Sequence, residues 1–280
     1  MSECNHDCAS CGVSCESRTQ PHSLLEKPHD QSAIGKVIAV CSGKGGVGKS
    51  LVTALLAVLA QRQGKKVGIL DADITGPSIP KMFGIRDRAM GTETGILPAR
   101  TTTGIHVMSL NLLLENDTDP VIWRGPVLAG AVKQFWTDVI WGDLDILFLD
   151  MPPGTGDVVL TAFQSIPVDG IVLVTTPQEL VGMVVEKAFK MAEMMNIPVA
   201  GLVENMSYAL CPDCGKRVEL FGKSRLEETA HAYGVDGTAQ LPIDPKLAAG
   251  ADRGMIELFE GSWLDALADR IVDMPAREEK

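Results

Sequence analysis

Six short apolar runs punctuate the chain after residue 34: 36–42 (KVIAVCS), 66–71 (KVGILD), 105–110, 144–150 (LDILFLD), 170–175 (GIVLVT) and 199–204 (VAGLVE). They are rich in β-branched residues and apolar at successive positions, the pattern of strands covered on both faces of a parallel sheet. Between them, apolar residues recur at helical spacing. The pattern predicts a helix from Lys49 to Gln63, with Leu51, Leu55, Val58 and Leu59 on one face and Gly64 as its stop. It predicts a second over 181–195, through Val181, Val184, Val185, Ala188, Ala192 and Met195, and a third near 263–273. Strands alternating with helices make an α/β fold with a doubly wound, mostly parallel sheet. No repeat divides it, so one domain is expected over 34–280.

Residues 1–33 break the pattern. Their large aliphatic residues are Val13, Leu24 and Leu25, set among four cysteines and three histidines. Such a segment buries too little apolar surface to order itself and reads as a flexible, metal-binding tail. The charge balance, 25 Lys+Arg against 36 Asp+Glu, gives −11. That argues against nucleic acid and against anionic lipid as partners. No apolar run reaches the roughly 18 residues of a membrane span. The first residues lack the basic start and apolar stretch of a signal peptide. A cytoplasmic protein is expected, with reduced thiols. Its seven cysteines then read as metal ligands, reactive thiols or buried small residues.

Candidate chemistry begins directly after the first strand. Gly43, Lys44, Gly45, Gly46, Val47, Gly48, Lys49 and Ser50 fit G-x-x-x-x-G-K-[ST], with a strand before and a helix after. Glycine-rich backbone lets successive N–H groups surround a β-phosphate, and the helix N-terminus adds its positive end. Lys49 reaches the terminal phosphates, and the Ser50 hydroxyl suits Mg²⁺. Lys44 reads either as a solvated loop lysine or as a residue reaching a nucleotide on a second subunit, since it folds back poorly onto its own. Asp71 and Asp73 stand at the carboxyl end of the second strand, where doubly wound sheets place their ligand crevice; for Asp71 a cap or turn is an equal alternative. LDILFLD ends on Asp150, an acid placed to hold Mg²⁺ through water, and runs into the stiff turn MPPGTGD, followed by Asp157. Asn205 marks another strand end, where a turn former is also usual.

Cys211 and Cys214 form a CPDCG turn. Two thiolates are half of what structural zinc or a cubane iron–sulfur cluster needs. A two-fold dimer supplies four; so does help from the tail, and half of a zinc ribbon is the plainer reading. Cys4, Cys8, Cys11 and Cys15 make a complete ligand set within the tail, for a cluster or for zinc with His6 as an alternate ligand. Cys41, alone beside the glycine-rich loop, reads as a buried small residue, Met191, Met194 and Met195 as packing residues, and His106 and His231 as ordinary.

GKGGVGKS resembles the deviant phosphate-loop motif of the MinD/Mrp class of P-loop NTPases. With DADITGPS, DMPPGTGD, TTPQE, ENMSY and CPDCG following in order between residues 43 and 215, the chain closely resembles the Mrp/ApbC-like iron–sulfur carrier ATPases, over about 245 residues. The segment 123–135 also matches that family. The resemblance implies a homodimer that binds ATP and Mg²⁺ through Gly43–Ser50 and Asp150. Lys44 then acts across the interface, Asp73 orients the attacking water, MPPGTGD is a switch segment, and Asn205 and the LPIDPKL loop lie near adenine. It implies a [4Fe–4S] cluster shared between two copies of Cys211 and Cys214, received from upstream donors and delivered to apo-proteins. Where the class carries a Ser or Thr after the motif, this chain has Leu51, leaving that contact to the α-phosphate open. The alternative is a MinD/ParA-type positioning ATPase with structural zinc, which predicts membrane or DNA binding that the net charge and the acidic last helix disfavour. A small-molecule synthetase leaves the cysteines unexplained, and a nitrogenase-iron-protein-like reductase uses separated cysteines, not a close pair.

Overall fold

A computed structural model describes residues 24–73, 78–113, 125–178 and 183–277. The tail cysteines Cys4, Cys8, Cys11 and Cys15, as well as Arg124, lie outside the described residues. The strands are β1 (Ser32–Ile34), β2 (Val37–Ser42), β3 (Val67–Asp71), β4 (Met90–Gly91), β5 (Ile96–Leu97), β6 (Ala99–Arg100), β7 (His106–Ser109), β8 (Gly142–Leu144), β9 (Ile146–Asp150), β10 (Gly170–Thr175), β11 (Val199–Leu210), β12 (Arg217–Val218) and β13 (Thr238–Pro242). The helices are α1 (Lys49–Arg62), α2 (Ser78–Met82), α3 (Gly125–Thr137), α4 (Asp157–Ser165), α5 (Met183–Met194), α6 (Leu226–Ala232), α7 (Pro245–Asp252) and α8 (Asp265–Asp273).

The main sheet runs β12-β11-β10-β2-β9-β3-β7-β6, with β13 beside β11. Its body is parallel; β6 and β12 are antiparallel additions. From β2 the chain crosses by way of α1 to β3 on one side, while from β9 it crosses by way of α4 to β10 on the other. The crevice where a doubly wound sheet binds its ligand therefore opens at the carboxyl end of β2.

Alternation along β2 shows how the sheet is covered. Val37, Ala39 and Cys41 face one core with α3, α4 and α5. Ile38 and Val40 face the other with α1, α7 and α8. The expected single apolar face of α1 is too narrow a description. Val52 through Ala60 are all buried, whereas Leu51 is only partly so; a helix apolar almost all round lies between the sheet and other helices. Met191 is buried as expected, but Met194 is 85% exposed, because it falls on the outer side of α5.

Two boundaries differ from the sequence reading. The division expected between residues 33 and 34 cuts through β1, which pairs with β8. Contacts with the body begin earlier: the Glu26 amide donates to the Ser165 carbonyl at 2.8 Å, and the Trp136 indole donates to the Glu26 carbonyl at 2.8 Å. The strand expected to end at Glu204 continues to Leu210, so Asn205 stands within β11. The ladder is interrupted there, with Met206 left-handed at φ 56° and a register shift between Glu204 and Tyr208. Among the described residues no helix is long and apolar enough to cross a membrane.

Candidate functional site

The glycine-rich loop joins β2 to α1. Gly46 and Gly48 hold φ of 82° and 83°, a conformation that suits glycine, and Gly48 is the residue preceding α1. The loop floors an open cleft of about 530 Å³ that Lys49, Ser50, Leu51 and Asp73 line from one side and residues of α2 and α7 from the other. Leu51 presents a hydrocarbon side chain to this cleft, with no hydroxyl to offer a phosphate. Lys44 is exposed on the loop.

Side chains converge at its centre. Lys49 Nζ lies 2.7 Å from Asp150 Oδ1 and 3.3 Å from Asp73 Oδ2. The Ser50 hydroxyl donates to Asp150 Oδ2 at 2.5 Å, and the Thr53 hydroxyl lies 2.9 Å from Asp150 Oδ1. Asp150 is fully buried, and these donors are what make a buried carboxylate tolerable. Burial opposes the charge on Lys49, but Asp150, then Asp73, outweigh it and hold the ammonium above the ordinary lysine value. Ser50, Asp150 and Asp73 put hard oxygen donors together at the mouth of the helix, a set that fits Mg²⁺.

Asp71 is opposite Asp150 in the β3–β9 register. Burial, then repulsion from Asp150, raises its carboxyl well above the usual range. It accepts hydrogen bonds from the Ser109 hydroxyl at 2.9 Å and the Asp73 amide at 3.2 Å. Its place is under the site, steadying the segment that carries Asp73. The turn after β9 is tied to the loop, for the Gly154 amide donates to the Ser42 carbonyl at 2.8 Å.

Asn205 sits against the same loop. Its Nδ2 donates to the Val47 carbonyl at 2.9 Å, and its Oδ1 accepts from the Met206 amide at 2.9 Å. The amide is therefore engaged by the loop backbone. Thr53, Ser109 and Ser42 were not singled out from the sequence. Thr53 lies one helical turn after Lys49, and that spacing was its available signal. Ser109 acts through sheet register and Ser42 through a contact with the turn after β9, and neither carries a local signal.

The second constellation begins where β11 ends. The Cys211 amide donates to the Lys216 carbonyl at 2.9 Å and the Gly215 amide to the Cys211 carbonyl at 2.8 Å, closing a tight turn with Gly215 at φ 67°. The backbone N–H groups of Cys214 and Asp213, then the Cys214 thiol, hydrogen-bond the Cys211 sulfur and pull its thiol below the ordinary value. Cys211 is half-buried and Cys214 exposed. Among the described residues, no group of three His, Cys, Asp or Glu side chains is placed to hold a metal, so the pair remains a pair. Apolar Leu210, Val218, Leu220 and Phe221 are exposed nearby in sequence. Cys41 is buried as expected, its thiol pushed up to about 12 by burial. His106 is also structural, its Nδ1 lying 3.0 Å from the Trp141 carbonyl.

Comparison with known proteins agrees with this geometry. Residues 33–272 match the family model of the NUBPL iron-transfer P-loop NTPases, in the ParA group. The chain is 45% identical over 261 residues to a protein of Methanocaldococcus jannaschii named iron-sulfur cluster carrier protein, covering 91% of this chain and 90% of that one. A Clostridium perfringens protein of the same name is 46% identical over 234 residues, covering 81% and 82%. An Archaeoglobus fulgidus nucleotide-binding protein solved with ADP is 47% identical with a TM-score of 0.75, over 83% of this chain and 91% of that one. The cell-division ATPase MinD of Pyrococcus furiosus, at 21% identity and TM-score 0.58 over 85% and 98%, shares the fold. By the match of most of its length and of its relatives, the chain belongs to the NUBPL iron-transfer P-loop NTPase family.

Proposed function

We propose that this protein is an ATP-hydrolysing carrier of iron–sulfur clusters that acts as a homodimer in the cytoplasm. The observation that carries the reading is the Cys211–Cys214 turn, shaped around one sulfur but supplying two thiols, in a chain whose other site is built for a nucleoside triphosphate. Two copies related by a two-fold axis bring four thiolates together, the usual complement for a [4Fe–4S] cargo. The exposed apolar residues around the turn are the kind of surface that association covers. Carrier naming among the relatives supports the same reading.

At the nucleotide site the backbone of Gly43–Ser50 cradles the phosphates and Lys49 exchanges its carboxylate partners for phosphate oxygens. Ser50 and Asp150 would hold Mg²⁺, which when bound neutralises charge on the β- and γ-phosphates. Asp73 orients the attacking water, and Lys44 of the partner subunit completes the charge around the γ-phosphate. Asn205 and the segment 241–247, from the end of β13 into α7, flank the base. Hydrolysis then reshapes the loop and the tied turn at Gly154, and the cluster passes to an apo-protein. The tail cysteines Cys4, Cys8, Cys11 and Cys15 would form a separate metal site, holding a cluster or zinc.

Anaerobic reconstitution with iron and sulfide tests this. Wild type should hold about four iron per dimer at the 211/214 site and transfer them to an apo-protein. Cys211→Ala/Cys214→Ala should lose that iron and the transfer while still binding ATP. Tight uptake of zinc by a monomer that refuses iron and sulfide would overturn the reading.

A further inference from the structure

We propose that β11 physically links the two sites, with Asn205 as the positioning residue and the left-handed turn at Met206 as the joint. The link gains its purpose from the carrier reading, but it is a property of the cluster-free chain. A single strand touches both constellations. At one end, Asn205 Nδ2 holds the Val47 carbonyl at 2.9 Å, and a Cβ added to Gly48 would stand 2.1 Å from that nitrogen. The junction of the loop with α1 therefore bears directly on this side chain, and a phosphate entering the loop acts on the same atoms. The Asn205 Oδ1 accepts from the next amide, so the side chain and the kink at Met206 move as one unit.

The strand is least constrained just there. Its pairing with β10 ends at Thr175–Glu204, and its pairing with β13 passes from Glu204 to Tyr208 with a register shift. Residues 205–207 thus turn without breaking ladder hydrogen bonds. A left-handed non-glycine residue, Met206 at φ 56°, is the kind of strained position that persists only where its surroundings hold it. Glu204 is fully buried; its Oε1 accepts from the Ser207 hydroxyl at 2.5 Å across the kink, while Oε2 has no hydrogen-bond partner among the described residues. A buried acceptor left open offers the kink a second arrangement.

Past the kink the chain is rigid again. The Ile243 amide donates to the Tyr208 carbonyl at 2.7 Å, and Arg217 lies 4.1 Å from the Tyr208 ring centroid. Ala209 and Leu210 pair with Val218 and Arg217, and Cys211 closes on Lys216. A shift at 205–207 therefore reaches the cysteine turn through the β11–β12 hairpin, straining the bond that ties Tyr208 to β13, six residues or about 20 Å along the strand from Asn205.

The test is the alkylation rate of Cys211 and Cys214 in the full-length, cluster-free protein, read peptide by peptide by mass spectrometry after iodoacetamide. It is run without nucleotide, with saturating MgADP and with a saturating non-hydrolysable MgATP analogue. Nucleotide should change the wild-type rate by about fivefold or more, the lower end of ordinary coupling between sites. Met206→Gly, still saturable with nucleotide, should lose that response, as should Asn205→Ala once nucleotide is raised until calorimetric titration shows it saturated. Met206→Gly relieves the left-handed strain at the joint, with loss of a half-buried side chain, and leaves Asn205 in place, so it serves where Asn205→Ala folds poorly. A wild-type rate indifferent to nucleotide, or either nucleotide-bound variant responding as wild type does, would overturn the link. Because no cluster is present, this outcome is independent of whether reconstitution supports the carrier reading.

Discussion

Gly48→Ala offers a sharp measure of how tightly the loop and β11 are joined. Two costs are separable. The first is conformational: alanine at φ 83° sits in a region that costs an L-residue about 1–2 kcal/mol. The second is steric, since the new Cβ would stand 2.1 Å from Asn205 Nδ2. Asn205 has to withdraw, losing its bond to Val47 and leaving a buried amide unsatisfied, at a further ~1–3 kcal/mol. Gly46→Ala is the matched control: its φ is 82°, yet a Cβ there meets nothing within 4 Å. At ~2–4 °C per kcal/mol for a domain of this size, Gly48→Ala should melt about 2–12 °C below Gly46→Ala. In an Asn205→Ala background, that gap should close. Differential scanning calorimetry of the four variants decides it. Equal melting temperatures for the two glycine variants, or a gap that survives removal of Asn205, would refute the reasoning.

Three further outcomes follow from the geometry. Thr53→Val keeps the shape but removes a hydroxyl 2.9 Å from the buried Asp150; denaturant titration should show a loss of about 2 kcal/mol, together with weaker nucleotide binding by calorimetric titration. Burial, then Arg100, lowers the pKa of His106, so the folded state disfavours its proton. Its contribution is present above the ordinary histidine value and lost as pH falls through the folded value. His106→Gln should flatten the acid side of a melting-temperature profile below about pH 6.5, and identical slopes in the two proteins would contradict this. The Cys211 thiol, lowered by the amides of Cys214 and Asp213, should alkylate with a pH midpoint below that of the same residue in urea-unfolded chain.

Much of this architecture was legible from pattern. The strands at 37–42, 67–71 and 170–175 are apolar on both faces because both faces are covered, and the glycine-rich loop declares itself by spacing. The convergence of Lys49, Asp73 and Asp150 was legible because each stands at a strand end or helix start that a doubly wound sheet brings together. The elements that escaped do so for physical reasons. The run 199–204 gave no sign that β11 continues, since residues 205–210 are held by the β12 hairpin and by β13 rather than by their own periodicity. Asn205 was read as a strand end because asparagine favours left-handed turns; the left-handed residue is instead Met206, one position on, where the tertiary contact of Asn205 with Val47 overrides local preference. Ser109 reaches Asp71 only through the pairing of β7 with β3.

The placement of β1 sets where the chain can be cut. Ser32–Ile34 zips onto Gly142–Leu144, Glu26 caps the Trp136 indole and forms an ion pair with Lys133 at 2.6 Å, and His29 Nε2 lies 2.8 Å from the Thr94 carbonyl. Trimming at residue 33 to remove the four leading cysteines would strip those fastenings as well and bare an indole, confusing lost thiols with a damaged body. A deletion ending at residue 23 takes the same cysteines and leaves every one of these anchors in place.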